Sequence, residues 1–386
     1  LLSHYTRVNM FIICSMKEVD FKFNLQKCGV MAMMFLLTGC GSSFVDSEQS
    51  LGTYDSRSLA LGDVDADGDL DIVVANQNQA NRIYLNNGDG SFTDSGQALG
   101  SNSSQSITLG DIDGDDDLDI VVANQNQANL VYLNDSAGSF SDSGQSLASN
   151  DSYSVALADI DNDNDLDMVV ANQVQANRVY LNDGLGSFSD SDQLLGENDS
   201  RSVALGDIDD DGDIDIVVAN QGQPNLVYLN DGAGTFTDSG QTLGNNDSNA
   251  IVLGDIDADG DLDMVVANEN EGNQVYFNDG FGVFSDSGQS LGSNDSRAIA
   301  LGDIDADGDI DMVVANQNQG NRVYMNDGAG NFEDNDQSLG ANSSQSIALQ
   351  DLNSDGVLSM LVANAGQANR IYNYEKEDVD LFGSAP

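Results

Sequence analysis

Carboxylates recur at alternate positions of a nine-residue pattern, D-x-D-x-D-G-D-x-D, whose first copy covers residues 63–71. Two like charges 4 Å apart repel by about 1 kcal/mol in water and by about 4 kcal/mol at an effective dielectric constant of 20. A loop of this composition therefore needs a cation, and its all-oxygen donors suit hard Ca²⁺. The predicted ligands are the side chains of Asp63, Asp65, Asp67 and Asp71 and the main-chain carbonyl of Asp69.

The aspartate pattern recurs every 48 residues, with its first aspartate at 111, 159, 207, 255, 303 and 351. Position 6 must turn sharply, and it is glycine except in the second and third loops. There Asp116 and Asn164 are residue types that tolerate a left-handed backbone. The seventh loop has Asn353 and Ser359 at positions 3 and 9, so an acidic turn without metal is favoured there. In the first six loops this solvated-turn alternative is the weaker one.

Four β-like runs make up each repeat and must position the loop: in the first repeat they are 58–62, 70–75, 82–85 and 91–95. No stretch has helical spacing with caps. Position 12 of the loop, where a helical EF-hand carries glutamate, is Val74 within the second run. The aspartate loop is therefore EF-hand-like in its ligands but set in a β-hairpin. Four antiparallel strands repeated seven times predict an all-β fold, a seven-bladed β-propeller.

The two ends of the repeat region predict how the ring closes. Residues 44–52 match residues 92–100 at the same 48-residue offset, and the last repeat stops after its third run, 370–372. We expect the N-terminal strand to complete the last blade and to remove a free sheet edge. The predicted domains are a propeller over 44–375 and a C-terminal tail over 376–386.

The repeat, L-G-D-I-D-x-D-G-D-x-D-x-V-V-A-N followed by Y-x-N-D-G-x-G-x-F, resembles the FG-GAP/VCBS repeat of bacterial surface proteins and integrin α-subunits. The resemblance covers about residues 44–374. It implies a seven-bladed propeller with Ca²⁺ in the loops between first and second strands, on one face of the disc, and no single activity. By match to that motif the ligands of loops two to six, with position 7 acting through its carbonyl, are Asp111, Asp113, Asp115, Asp117 and Asp119; Asp159, Asp161, Asp163, Asp165 and Asp167; Asp207, Asp209, Asp211, Asp213 and Asp215; Asp255, Asp257, Asp259, Asp261 and Asp263; Asp303, Asp305, Asp307, Asp309 and Asp311.

Composition excludes several classes of function. The chain has 65 acidic and 12 basic residues and a formal charge of -53, which argues against nucleic-acid binding because phosphates need Lys and Arg. The single histidine is His4, and all three cysteines lie within the first 40 residues. Histidine- or cysteine-based catalysis, His-ligated zinc, haem and disulfides are therefore excluded from the body of the protein.

The N-terminal segment has the features of a targeting signal. Lysines precede an apolar stretch of about ten residues, too short to span a bilayer and typical of a secretory signal. Its end, Leu37-Thr38-Gly39-Cys40, resembles the lipobox of bacterial lipoproteins, which implies lipidation of Cys40. The residue after the cysteine is Gly41 and not aspartate, the residue that in that family is linked to retention in the inner membrane. The alternative is a plain signal peptide with a chance cysteine.

We therefore expect a lipid-anchored protein of a bacterial cell envelope, at the outer membrane or cell surface, with no other contact with the membrane. Residues 1–39 form the predicted leader, of which 16–39 are the signal peptide. Residues 1–15 match no part of a signal, so Met16 is the expected true start. Residues 40–43 are predicted to form a short tether.

One position varies from repeat to repeat while its neighbours barely change. It lies in the connection between blades, on the face opposite the metal loops, and is predicted to contact a protein loop or a glycan: Arg57, Gln105, Tyr153, Arg201, Asn249, Arg297 and Gln345. The amide-rich loop between second and third strands, first seen at 76–81, shares that face. The alternative is that these amides only satisfy their own tight turns.

Three functional classes remain open. A Ca²⁺-stabilised surface propeller for adhesion or protein interaction, present as a monomeric ring, is favoured. A carbohydrate-binding propeller comes second, weakened by the absence of tryptophan from the chain. A Ca²⁺-assisted polysaccharide-active enzyme comes last, since it would need one asymmetric group of residues and the repeats are uniform.

Overall fold

The computed structural model describes residues 42–376, and within them it consists of 28 strands and their connections, in seven four-stranded antiparallel sheets. Each sheet is one blade. The first, innermost strands are β2 (Ser56–Gly62), β6 (Ser104–Gly110), β10 (Ser152–Ala158), β14 (Ser200–Gly206), β18 (Ser248–Gly254), β22 (Ser296–Gly302) and β26 (Ser344–Gln350). The second strands are β3 (Asp71–Asn76), β7 (Asp119–Asn124), β11 (Asp167–Asn172), β15 (Asp215–Asn220), β19 (Asp263–Asn268), β23 (Asp311–Asn316) and β27 (Ser359–Asn364).

The outer half of each blade completes the sheet. The third strands are β4 (Arg82–Asn86), β8 (Leu130–Leu133), β12 (Arg178–Leu181), β16 (Leu226–Asn230), β20 (Asn273–Phe277), β24 (Arg322–Asn326) and β28 (Asn369–Glu375). The fourth strands are β5 (Phe92–Asp94), β9 (Ser141–Asp142), β13 (Ser189–Asp190), β17 (Phe236–Asp238), β21 (Ser285–Leu291), β25 (Phe332–Asp334) and β1 (Ser43–Leu51).

Burial follows from the radial arrangement of the blades. The second strand of every blade, Asp-Ile-Val-Val-Ala-Asn in β3, is buried at all six positions. A strand with both faces covered needs no alternation of apolar and polar residues, which is why this run is continuously apolar. The first strands contact one another around the centre, β2 with β6 on one side and with β26 on the other.

The apolar core lies between the blades rather than within one of them. At the joint between blades 1 and 2, Val73 and Ile83 of one blade pack against Ile107 and Ile120 of the next. An equivalent cluster fills each of the seven joints, including the joint between the last blade and the first. Each blade therefore depends on both neighbours for its core.

The ring is closed by the N-terminal strand, as predicted. The last sheet has the order β1-β28-β27-β26, so it joins the two ends of the repeat region. A glutamine in or just after each fourth strand accepts a hydrogen bond from the next blade; Gln97 Oε1, for example, lies 3.0 Å from the Phe140 nitrogen. The same bond joins blade 6 to the N-terminal strand in blade 7, from the Phe44 nitrogen to Gln337 Oε1 at 3.2 Å.

Residues Phe44–Tyr374 form one compact unit. Within residues 42–376 the structure has no helix with the length and apolar character that a membrane span requires.

Candidate functional site

The hairpin between first and second strands holds each aspartate loop. In blade 1, Gly62 pairs with Asp71 at the base of the hairpin, so residues 63–70 form the loop. Position 6 has the predicted left-handed backbone, with φ of 95° at Gly68, 70° at Asp116 and 72° at Asn164. Position 4 is also left-handed, which its residue types did not indicate: Ala66 has φ of 60°.

The loop curls around the carboxylate of its first aspartate. Asp63 Oδ1 accepts the Asp67 N–H at 3.1 Å, and its Oδ2 accepts the Gly68 N–H at 2.9 Å. Loop six repeats this arrangement around Asp303. These main-chain bonds fix the direction in which the remaining carboxylates point.

The structure brings the predicted ligands of one loop together. Carboxylate oxygens of three aspartates lie within 4.8 Å of one another, from positions 1, 3 and 9 in some loops and 1, 3 and 5 in others. The groups are Asp63, Asp65 and Asp71; Asp111, Asp113 and Asp115; Asp159, Asp161 and Asp167; Asp207, Asp209 and Asp215; Asp255, Asp257 and Asp259. The position-7 side chain points elsewhere: a Cβ at Gly88 would lie 2.8 Å from the Asp69 carboxylate, so the glycine makes room for it.

The surroundings of the position-3 carboxylate indicate whether a cation fits the loop. One of its oxygens is buried and accepts no hydrogen bond among the described residues in five loops, at Asp65, Asp113, Asp161, Asp209 and Asp257. Burial, and then the charges of Asp67 and Asp63, raise the pKa of Asp65. A carboxylate oxygen that is shielded from water and has no hydrogen-bond donor is unfavourable, and carboxylate and carbonyl oxygens are the donors that Ca²⁺ takes. The residues present therefore fit a calcium ion.

The position-9 aspartate forms the floor of the loop. Asp71 is buried and accepts the Val64 N–H at 3.0 Å and the Asn86 N–H at 2.8 Å. Burial raises its pKa to about 6 against the opposing effect of these two bonds. Each carboxylate oxygen can accept more than one bond and here accepts one, so Asp71 can hold the main chain and a cation together.

An asparagine at the end of the third strand links neighbouring loops, and the sequence did not reveal this role. The Asn134 N–H donates to Asp119 at 2.8 Å, and its side-chain amide donates at 2.8 Å to the Val64 carbonyl in the loop of the preceding blade. The same bridge is formed at Asn86, Asn182, Asn230, Asn278 and Asn326. The repeat motif contains this asparagine, but only the packing of blades shows what it bonds.

In the seventh loop, polar side chains form hydrogen bonds with other side chains of the same blade. Asn353 Nδ2 donates to Asp355 Oδ2 at 3.0 Å, and Ser359 Oγ donates to Asn373 Oδ1 at 3.3 Å. With three charges fewer than a full loop and these internal bonds, it has less need of a cation.

The seven variable residues all line one cavity of about 330 Å³. The predicted position needs a correction, because each lies one residue inside a first strand rather than in the preceding connection. Ser56 pairs with Asn76 and starts β2 early, with a bulge before Ser58. The other end of β2 leads into the aspartate loop, so cavity and loops lie at opposite ends of the same strands.

Charges inside the cavity are paired. Asp55 lies 3.2 Å from Arg57, and Asp199 lies 2.9 Å from Arg201. Asp295 lies 2.9 Å from Arg297, and the Arg201 guanidinium stacks over the Tyr153 ring at 4.3 Å. The lining is therefore polar, with ready hydrogen-bond donors and acceptors and little net charge of its own.

Two amides of the neighbouring loop serve its own turn, as the alternative interpretation predicted. Asn81 Oδ1 accepts the Asn76 N–H at 2.8 Å, and Asn76 Nδ2 donates to the Ala80 carbonyl at 2.9 Å. Gln79 Oε1 instead accepts the Asp55 N–H at 2.7 Å, in the connection that precedes the first strand. Gln77 differs, because its side chain accepts a hydrogen bond from Arg57 and lines the cavity.

Comparison with known families agrees with this architecture. The model of the FG-GAP-like repeat matches six overlapping segments, residues 63–122, 111–170, 159–218, 207–266, 255–314 and 303–362. The chain belongs to the FG-GAP-like repeat family. Each matched segment of this FG-GAP propeller runs from one aspartate loop through the next, so the family match covers the loops themselves.

Solved structures show the same fold. Two crystal structures of BBS1N in complex with ARL6DN, one soaked with mercury and one with lead, superpose on the FG-GAP propeller with TM-scores of 0.64 and 0.63. They are 13% identical to it and cover 86% and 87% of this chain and 97% and 98% of theirs. At this identity the likeness concerns the fold alone. No curated protein matches the chain.

Proposed function

We propose that this FG-GAP propeller is a calcium-stabilised protein-interaction module of a bacterial cell envelope. The observation that carries the proposal is the single cavity lined by all seven variable side chains. The variable position is Arg, Gln, Tyr or Asn, whereas the next residue, which also lines the cavity in most blades, is serine or alanine. Variation at a position that faces a shared cavity is what recognition of an asymmetric partner requires.

Calcium has a structural role in this proposal. The unpartnered position-3 oxygens and the crowded carboxylates leave the loops unfavourable without a cation. Six ions, one in each of loops one to six, would neutralise them and fix the hairpins on that face. Affinities of about 10⁻⁴–10⁻³ M, as in extracellular modules, are expected. The ions stabilise the propeller. We expect no enzymatic activity.

Contacts in the cavity favour a protein over a glycan. The Arg201 guanidinium already covers one face of the Tyr153 ring, which a sugar would use as a stacking platform. The Asp–Arg pairs present donors and acceptors suited to peptide groups and polar side chains. BBS1N, which has this fold, was solved in complex with ARL6DN, and that supports a protein partner. A glycan remains the second candidate because the cavity is polar and of roughly disaccharide size.

The proposed location is the outer surface of the envelope, where a lipid on Cys40 holds a monomeric ring. Cys40 and the predicted leader, residues 1–39, lie outside the described residues. The net charge of -53 makes nucleic acid an implausible partner and leaves the lipid as the contact with the membrane.

The experiment is capture from envelope extracts on the immobilised chain with Ca²⁺, compared with Y153N/R201N, which places the blade-5 residue type of Asn249 at both positions. The proposal expects a protein retained by the wild type and lost from the double variant. The control R322L places in blade 6 the leucine found at 130 and 226, and should retain the partner. Equal capture by Y153N/R201N contradicts the proposal, and saturable glycan-array binding that Y153N/R201N abolishes would favour the glycan.

A further inference from the structure

We infer that blade 3 carries a second binding site, separate from the central cavity, for an apolar side chain flanked by Lys or Arg on a partner protein. The site is a shallow depression of about 330 Å³. Its lining includes Asn150, Val174, Ala176, Arg178, Leu194 and Glu197. The inference does not depend on the function proposed for the central cavity.

The internal repeats show that this depression is peculiar to blade 3. Val174 is 68% exposed and Leu194 is 60% exposed. The other blades carry small or polar residues at both places. The counterparts of Val174 are Asn78, Asn126, Gly222, Asn270, Asn318 and Gly366, and those of Leu194 are Ser50, Ala98, Ser146, Thr242, Ser290 and Ser338.

The backbone at Val174 adds a second observation. Its φ is 53°, in the left-handed region, where a β-branched residue is unfavourable and where asparagine or glycine is favoured. The Val174 N–H donates to the Asn198 carbonyl at 2.9 Å, which holds the turn in this conformation. Folding gives no reason for valine at this position, because its counterparts fit the same turn with less strain. An exposed, strained apolar residue is explained by a partner that covers it.

The charges around the depression indicate which residue types its partner would carry. Arg178 is paired with Asp190 at 3.3 Å, whereas Glu197 has no ion-pair partner among residues 42–376. The position of Glu197 is serine, asparagine, threonine or alanine in the other repeats. An apolar centre beside an unpaired carboxylate, on a chain of charge -53, complements an apolar anchor with a cationic neighbour. The partner is therefore a protein segment in which Leu, Ile, Met or Phe adjoins Lys or Arg.

The site shares a face with the central cavity. Asn150 lines the depression, and Tyr153, three residues later, lines the cavity. Leu185, in contrast, lies on the turn between β12 and β13, on the face of the aspartate loops, although it is 76% exposed. It serves as a matched control, because blades 2, 4 and 6 carry alanine at its position.

The test selects a phage-displayed library of random dodecapeptides on the immobilised full chain with Ca²⁺, with counter-selection on V174N/L194S. Enriched peptides should carry an apolar residue beside Lys or Arg. Synthetic copies should bind V174N/L194S at least about tenfold more weakly and E197S several-fold more weakly, while L185A binds like the wild type. V174N/L194S should melt roughly 2 °C higher, since asparagine relieves the strained turn, so weaker binding could not be due to unfolding.

Three results would overturn the inference. Peptides that bind V174N/L194S as well as they bind the wild type would place the site elsewhere. Enriched peptides that are basic but lack an apolar anchor would show attraction to the acidic surface alone. Self-association in sedimentation experiments that V174N/L194S abolishes would make the depression an interface between copies of this chain.

Discussion

Phe44 packs edge-on against Tyr374, with ring centroids 5.2 Å apart and planes at 62°. The first residue lies on β1 and the second on β28, and both are buried in the cluster between blades 6 and 7. Tyr374 occupies the position at which the other six blades carry the bridging asparagine. The two ends of the repeat region therefore meet within blade 7 through an aromatic pair, at a position whose side chain cannot form the asparagine bridge to blade 6.

Removing the Phe44 ring should weaken this joint. Truncation of a buried phenylalanine costs about 3–5 kcal/mol, so F44A should lower the melting temperature by about 5–10 °C. Differential scanning calorimetry with Ca²⁺ present measures the effect. F281A removes a phenylalanine that is 77% exposed and should melt like the wild type. A melting curve of F44A that coincides with the wild type would show that the aromatic pair does not hold the ring.

Removal of calcium should destabilise the whole propeller. Each ion bound at a concentration one hundred times its Kd adds about 2.7 kcal/mol to the free energy of unfolding. We expect verified metal removal to lower the melting temperature by more than about 10 °C. Titration calorimetry should give about six ions per chain. An unchanged melting curve after metal removal would contradict a structural role for calcium.

The metal-free protein should lose stability as pH rises through the window from about 4 to 6. Burial raises the pKa of the position-9 carboxylates to about 6, at Asp71, Asp119, Asp167, Asp215, Asp263 and Asp311. Their ordinary value is 3.8, so across this window the folded state holds protons that the unfolded state has released. The folded state is then favoured at the acidic end and loses this advantage above the folded pKa.

Calcium should reverse this dependence, because protons compete with the ion for the same carboxylates. The measurement compares melting temperatures at pH 4.5 and pH 7.5 for protein stripped of metal in calcium-free buffer and for protein with excess Ca²⁺. The stripped sample should melt higher at pH 4.5, and the calcium-loaded sample should melt higher at pH 7.5. A stripped protein whose melting temperature rises with pH would refute the assignment.

The asparagine bridges should couple neighbouring metal loops. N182A removes the amide that donates to the Ile112 carbonyl at 2.8 Å and to the Leu166 carbonyl at 3.1 Å. Unpaired buried carbonyls cost about 1–3 kcal/mol, so a drop in melting temperature of a few degrees is expected. Calcium titration of N182A should also show weaker binding and a smaller Hill coefficient. N331S, at an exposed turn position that is serine at 91, 139 and 187, should leave both quantities unchanged. Unaltered calcium binding by N182A would limit the bridge to stability.

The lipid anchor is tested by C40S in a bacterial host with a lipoprotein pathway. Wild-type protein should incorporate labelled palmitate and sediment with membranes, whereas C40S should do neither. C28S alters another leader cysteine and should behave like the wild type. Palmitate incorporation that survives C40S would rule out Cys40 as the modified residue.

Features that follow from local residue types or from the 48-residue period could be predicted from the sequence. The third strand of blade 1 was expected at 82–85 and is Arg82–Asn86, and the left-handed turn at Asp116 followed from its residue type. Closure of the ring was predicted because the offset of 48 residues places residues 44–52 in register with a fourth strand. These features depend on short-range periodicity, which a sequence displays directly.

Features that depend on tertiary contacts, within a blade or between blades, could not be predicted. Asn134 and Val64 are 70 residues apart, and nothing in either repeat indicates that they bond. The left-handed backbone at Ala66 opposes the preference of alanine and follows from the curl of the loop around Asp63. The depression on blade 3 appears only when Val174 and Leu194, 20 residues apart in the chain, are placed side by side.

The asparagine bridges connect neighbouring blades in a series that does not close into a ring. They run from blade 6 back through blades 5, 4, 3, 2 and 1 to blade 7, and they stop where Tyr374 replaces the asparagine. The contact between the Phe44 and Tyr374 rings is aromatic, so this contact does not itself require a bound ion. A propeller that has lost calcium would therefore loosen first at the joints between blades, while β1 and β28 stay paired. It could then regain its native packing without having to re-form the pairing of its closing strand.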